Sequence, residues 1–191
     1  MNYRTVGSIA AILVLSACAC ATQKPTQSRL NQIWDAVDNR MAQQIDIWFD
    51  DGDFPKAING LTFQASYAPH DYEVATNLGW MFENVEDWSG ALSAYRTYEK
   101  NNPQDKDAVL PEAQLYFGRK EYAKIPALLE PTLKLHPHPN IYRILAHTYE
   151  HQNNWKEALR IWKQYVAIAP SDGQAKVNLA KAERKVKAQK Q

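Results

Sequence analysis

From residue 29 onward the apolar positions follow a helical rhythm, not a strand rhythm. In the stretch Tyr72 to Asp105, Leu78, Gly79 and Phe82 and then Ala91, Tyr95 and Tyr98 recur at helical spacing, before the pattern stops at Pro103. The spacing of the prolines shows that this stretch is one unit of several. Pro69, Pro103 and Pro137 are each 34 residues apart, and Pro170 follows 33 later. Each unit predicts a helix, a turn and an antiparallel helix, closed by a proline because that residue cannot continue a helix.

The unit over 38–71 repeats the layout with Ile45, Trp48, Ala57 and Leu61, and places its turn at Gly52-Asp53-Phe54. The unit over 106–139 keeps Ala113, Tyr116 and Tyr122 but carries Pro111, Pro126 and Pro131. Pro126 is expected inside its second helix, where it would kink the helix at a cost of about 3 kcal/mol. The unit over 140–172 returns to the pattern with Ala146, Tyr149, Trp155, Ala158, Trp162 and Pro170. Residues 173–190 read as one further helix, lysine-rich outside and apolar at Ala175, Leu179, Ala182 and Val186, suited to cover the last unit. At the other end Ser28 caps a helix starting at Arg29, with Leu30, Ile33, Trp34 and Val37 on its apolar stripe.

These residues, including the small Gly79 and Ala91 where paired helices would cross, resemble the tetratricopeptide repeat over about residues 38 to 172. The resemblance implies an all-α, right-handed solenoid of about four helix hairpins plus a capping helix, within a domain over 29–190. A leucine at Gly79 would wedge the hairpin apart, since helix axes about 8–10 Å apart leave no room for a long side chain at the crossing. The resemblance also implies a groove lined by the first helices, used to hold a protein or peptide and not to catalyse a reaction. Its register projects Ala42, Asp46, Phe49 and Asp50, then Glu73, Thr76, Trp80, Glu83 and Asn84, onto that wall. Leu110, Gln114 and Phe117 follow, then Asn140, Arg143, His147, Glu150 and His151. Trp80 is either an anchor for the partner or a ring packed on the neighbouring helix. A carboxylate-gripping groove of the kind some chaperone adaptors carry is not implied. Asn77 fits that set, but Ala42, Asp46, Asp107 and Pro111 stand at its other positions.

Composition agrees with helices, since glycine is scarce at 7 residues while 6 Trp and 10 Tyr supply large rings for packing. The first residues are different in kind. Arg4 is followed by an uncharged stretch with an apolar run over 9–15, too short and too diluted for a spanning helix of roughly 20 apolar residues. Leu15-Ser16-Ala17-Cys18 resembles the lipobox of bacterial lipoprotein signals. That resemblance implies a signal over 1–17, a diacylglycerol and usually an acyl chain such as palmitate on Cys18, and a tether over 18–28. Ala19 in place of aspartate then implies the periplasmic face of the outer membrane. Two alternatives stay open: the A-x-A sequences at 17–19 and 19–21 suit an ordinary signal peptidase, and the stretch could remain as an anchor. All three place the body outside the cytoplasm. With cysteine only at 18 and 20, the body is neither a disulfide scaffold nor a thiolate metal site.

Charge divides the chain. Residues 29–110 hold 14 acidic and 6 basic residues, net −8, whereas 111–191 hold 7 acidic and 14 basic, net +7. Such a dipole suits an oriented partner or end-to-end pairing of copies that salt would disrupt; the other reading is solvated helix faces with a basic tail, and nucleic acid is not an expected partner. One catalytic motif competes with the scaffold reading. His147-Thr148-Tyr149-Glu150-His151 matches the H-x-x-E-H pattern of inverted zinc peptidases, in which two histidines bind metal and the carboxylate acts as base. No further ligand for such an ion is identifiable, so the expectation is a polar groove wall with no metal, cofactor or catalytic residue. The leading expectation is therefore an envelope adaptor serving secretion or pilus assembly, outer-membrane biogenesis or recruitment of cell-wall enzymes. A zinc hydrolase and a self-assembling structural module are the alternatives.

Overall fold

The computed structural model describes residues 28–189, all of whose regular elements are helical. The expected signal, Cys18 and the tether up to residue 27 lie outside the described residues. The chain forms α1 (Arg29–Asp50), α2 (Phe54–Tyr67), α3 (Tyr72–Asn84), α4 (Trp88–Asn101) and α5 (Leu110–Gly118). It continues through α6 (Ile125–Leu129), a 3-10 helix (Glu130–Leu135), α7 (Pro139–His151), α8 (Trp155–Ile168) and α9 (Gly173–Ala188). Each helix packs chiefly on the next one along the chain, so the hairpins α1/α2, α3/α4 and α7/α8 stack in sequence order and α9 lies on α8. That quasi-linear packing is the mark of a solenoid.

The 34-residue period has a backbone cause. Gly52, Glu86, Lys120 and Asn153 each adopt a left-handed φ, at 74°, 59°, 60° and 57°, in the turn between the two helices of a unit. Directly after three of these residues Asp53, Asp87 and Asn154 cap the second helices, their side chains accepting from the amides of Lys56, Gly90 and Glu157. Each supplies an acceptor to a helix end that has no internal partner, worth about 1 kcal/mol. Ala68, Asn102 and Ala169 leave those helices at φ −118° to −129° and ψ 57° to 62°. A proline follows each of the three, and the residue before a proline is driven out of the helical region. At the start, Ser28 Oγ accepts from the Asn31 amide at 3.2 Å.

Small residues sit where helices cross. A Cβ built on Gly79 of α3 would lie 2.0 Å from Cε1 of the buried Tyr95 in α4, so the ring occupies the space of the missing side chain. Gly60 of α2 likewise faces Ile45 and Trp48 of α1. The largest core cluster lies in the second half, with Ile141, Leu145, Ile161, Trp162 and Tyr165 buried between α7 and α8. A smaller one joins Ile45, Ala57, Leu61, Leu78 and Met81 across α1, α2 and α3. The first turns of α1 extend past this packing, and Leu30, Ile33 and Trp34 are exposed, with Trp34 leaning on Tyr67 at 5.1 Å.

The third unit corrects one expectation. Pro126 does not kink a long second helix; it stands in the first turn of α6, where its absent N–H is no loss, and Pro131 does the same for the 3-10 helix. The two prolines thus divide what is one helix in the other units into two short pieces. The break leaves an open cleft of about 430 Å³ between α4 and the 3-10 helix, lined in part by Arg96, Lys100, Lys106 and Leu135. Across the same junction Arg96 makes a forked pair with the buried Glu112 of α5 at 2.8–3.2 Å and also donates to the Tyr116 hydroxyl at 2.9 Å. This polar clamp joins α4 to α5.

Candidate interaction groove

The first helices of successive units place the projected wall residues in two groups. In the acidic half, Phe49 at the end of α1 and Trp80 of α3 stand with ring centroids 5.5 Å apart, 36% and 48% exposed. Phe49 also meets Phe54 edge-on, which fixes its ring against the first hairpin. On the same two helices Asp46, Asp50 and Glu73 are exposed, and none of the three makes an ion pair among the described residues. Asp46, Phe49 and Asp50 share a helix face through their i, i+3, i+4 spacing, as Glu73, Thr76 and Trp80 do on α3.

Other members of this half are committed to the fold. Thr76 turns its hydroxyl back to the carbonyls of Tyr72 and Glu73 at 2.9 and 3.0 Å. The Asn84 amide donates to the Trp80 carbonyl at 2.8 Å, and Glu83 accepts a 2.6 Å hydrogen bond from the hydroxyl of Tyr95. Burial of Tyr95 and the neighbouring Glu83 carboxylate both push the phenol well above its ordinary pKa. Ala42 is exposed, as projected, whereas Leu110 is not on the wall but buried at 7% exposure in the core beside Val109 and Ala113.

In the second half Gln114 and Phe117 of α5 meet Asn140, Arg143 and Ile144 of α7 around a shallow cleft of about 300 Å³. Arg143 is held by Asn140 at 3.1 Å and by Asp172 at 2.7 Å, and lies over the Tyr165 ring. His151 stacks on Tyr122 at 4.4 Å, and Phe117 meets both rings edge-on. These contacts hold the residues of the cleft in place.

Glu150 departs from the projection. It is 9% exposed, and its carboxylate accepts from Trp162 Nε1 at 2.9 Å and Lys181 Nζ at 2.7 Å, with His147 Nδ1 at 3.4 Å. Burial raises its pKa, but the hydrogen bonds from His147, Lys181 and Trp162 outweigh that and leave it lowered to about 2. Residue 150 is thus a tie between α7, α8 and α9, not a groove side chain. The helical register failed here because α9 closes over that flank of α7, which the pattern of one helix cannot show. The same contacts occupy the three residues of the H-x-x-E-H sequence: the carboxylate is held by Lys181 and Trp162, His147 stands edge-on to Trp162, and His151 is stacked on Tyr122. Among the described residues no group of three or more His, Cys, Asp or Glu side chains could hold a metal ion.

Sequence reasoning missed a second concavity, on the side of the second helices. A cleft of about 380 Å³ opens between α2 and α4, with Leu78, Phe82, Ala94 and Tyr98 inside and Thr62, Ser93 and Thr97 among its polar lining. The only trace in the sequence is the density of small residues on facing positions, Ala65, Ser66, Gly90 and Ala94.

The sequence model of the tetratricopeptide repeat matches residues 139–182, which span α7, α8 and the first part of α9. Solved structures of the same architecture cover most of the chain. One is a MamA protein, 16% identical, with a TM-score of 0.60 over 77% of this chain and 81% of that one. Another is a thermophilic TPR protein of Thermus thermophilus, 22% identical, with a TM-score of 0.56 over 74% and 79%. The chain has the tetratricopeptide-repeat fold. A MamA from Desulfovibrio magneticus RS-1 matches it equally, 16% identical at a TM-score of 0.56 over 78% and 91%. No curated protein matches it by sequence. At these identities the likeness is one of fold.

Proposed function

We propose that this protein is a non-catalytic adaptor of the bacterial envelope, anchored through a lipid on Cys18 and holding a segment of a partner protein in its groove. The observation that carries the groove reading is the Phe49–Trp80 pair, two large rings side by side on adjacent first helices and still exposed. Exposed aromatic pairs bordered by charge are where partner side chains gain most from desolvation. The second-half cleft formed by Gln114, Phe117, Asn140 and Arg143 extends the surface along the first helices of the later units. The envelope placement rests on the signal-like first residues and the lipobox resemblance, and favours the periplasmic face of the outer membrane.

The test has two arms. Crosslinking and affinity capture from envelope membranes should recover a partner with wild type and lose at least tenfold of it with Trp80→Ala, a hot-spot truncation of about 2 kcal/mol. Recovery unchanged by Trp80→Ala refutes the groove. Cys18→Ser should move the protein from the membrane to the soluble fraction and remove the lipid mass from its N-terminal peptide. A membrane-bound Cys18→Ser protein refutes the anchor.

A further inference from the structure

The two ends of the solenoid are chemically matched. In the first half α3 carries no basic residue, and α1 ends on Asp50 with Asp51 as its C-cap and no basic residue in its last turn. Carboxylates at a helix C-terminus face the negative end of the macrodipole, which disfavours them by a few tenths of a kcal/mol to about 1 kcal/mol each. A cation from outside would relieve that repulsion. On the last helix, Lys176, Val177, Ala180, Arg184 and Lys187 fall within one arc of the helical wheel, bordered by Glu183, and all are exposed, Val177 at 59%. None of Lys176, Arg184 and Lys187 makes an ion pair among the described residues, whereas Lys181 on the inner side is bound to Glu150.

We infer that the acidic, aromatic first half of the groove takes the outer face of α9 from a second copy of this chain, giving a head-to-tail contact. Val177 and Ala180 meet the Phe49–Trp80 pair while Lys176, Arg184 and Lys187 meet Asp46, Asp50 and Glu73. The inference rests on the groove reading above and adds its occupant. Charge complementarity selects the second copy: α9 presents three exposed cations on the face that carries Val177 and Ala180, the groove presents three exposed carboxylates on the helix faces that carry Phe49 and Trp80, and none of the six makes an ion pair among the described residues. Because the two surfaces differ and lie on opposite ends, each copy keeps one free after pairing. Such a heterologous contact extends into chains, where an isologous one would stop at a dimer.

The experiment uses the processed protein purified in detergent, in sedimentation velocity at about 20 mM and about 500 mM salt, where the screening length falls from roughly 20 Å to roughly 4 Å. Wild type should form dimers and longer species at low salt and dissociate at high salt, with an affinity at least tenfold weaker. Arg184→Glu/Lys187→Glu and Asp46→Lys/Asp50→Lys change only exposed residues, and each should be a monomer at low salt while keeping the wild-type circular dichroism spectrum. Mixing the two in equal amounts should restore the larger species, because each supplies the surface the other lacks. A wild type that is monomeric at both salts overturns the inference, as do oligomers indifferent to both charge reversals. A monomer that still captures its partner through Trp80 overturns only the self-docking and leaves the groove reading standing. A monomer that instead binds an unrelated basic amphipathic peptide in a Trp80-dependent way assigns the groove to a different basic partner. Chains that depend on charge but not on Trp80→Ala overturn the aromatic seat.

Discussion

Replacing Gly79 with alanine adds one methyl group to a helix that should welcome it, and the packing determines that it will not. By propensity alone the change in the middle of α3 gains about 1 kcal/mol, since glycine is the least favourable ordinary residue in a helix interior. The new Cβ, however, would lie 2.0, 2.3 and 2.7 Å from three carbons of the Tyr95 ring, about 1.5 Å inside ordinary van der Waals contact. Tyr95 is 5% exposed and its hydroxyl donates to Glu83 at 2.6 Å, so the ring must either push the helices apart or leave its site. Overpacking costs about 1–3 kcal/mol and loss of the hydrogen bond about 1 kcal/mol more. The net expectation is a loss of about 2 kcal/mol in urea unfolding followed by circular dichroism. Gly118→Ala is the control, because a Cβ there meets nothing within 4 Å and should be neutral or slightly stabilising. In a Tyr95→Ala background the clash is gone, and Gly79→Ala should turn stabilising by about 1 kcal/mol, a reversal that a double-mutant cycle reads directly. A Gly79→Ala protein as stable as wild type, or an equal loss in the Tyr95→Ala background, refutes the reasoning.

Thr148 is fully buried and its hydroxyl has no hydrogen-bond partner among the described residues, so Thr148→Val, nearly isosteric, should stabilise by about 1 kcal/mol in the same unfolding assay. Lys120 holds a left-handed φ of 60° in the turn before α6, and Lys120→Gly should raise stability by up to about 1 kcal/mol by relieving that conformation; a decrease would count against the strain. Glu150 has a folded pKa lowered to about 2, below the unfolded carboxylate value, so its contribution is complete above about pH 4.5 and lost as pH falls toward 2. Its side-chain partners His147 and Lys181 are partly exposed, which reduces the contribution to about 2 kcal/mol. The stability difference between wild type and Glu150→Gln should therefore be about 2 kcal/mol at pH 7 and shrink toward zero by pH 2; a pH-independent difference would remove the charge from the explanation.

Much of the candidate site was legible because groove positions are set by the same period as the core. Asp46, Phe49, Asp50, Glu73 and Trp80 all lie exposed on the first helices, and Gln114, Phe117, Asn140 and Arg143 do converge on one cleft. Glu150 and Leu110 show the limit of that logic, since whether a flank of a helix is open depends on the neighbour that packs there. Residue 150 faces Lys181 in the middle of the terminal helix, a partner outside the repeat.

What the chain determined by itself is local and periodic: where helices begin, where a left-handed turn and an aspartate or asparagine cap recur, and where prolines stop each unit. These follow from backbone sterics and short-range hydrogen bonds within a few residues, which one sequence displays in full. The tertiary structure alone decided how Pro126 and Pro131 are absorbed, which polar groups are withdrawn from solvent, and that a cleft opens between α2 and α4. Those outcomes depend on which surfaces meet across a hundred-odd residues of stacked helices, and meeting surfaces are a property of the packing, not of any one segment.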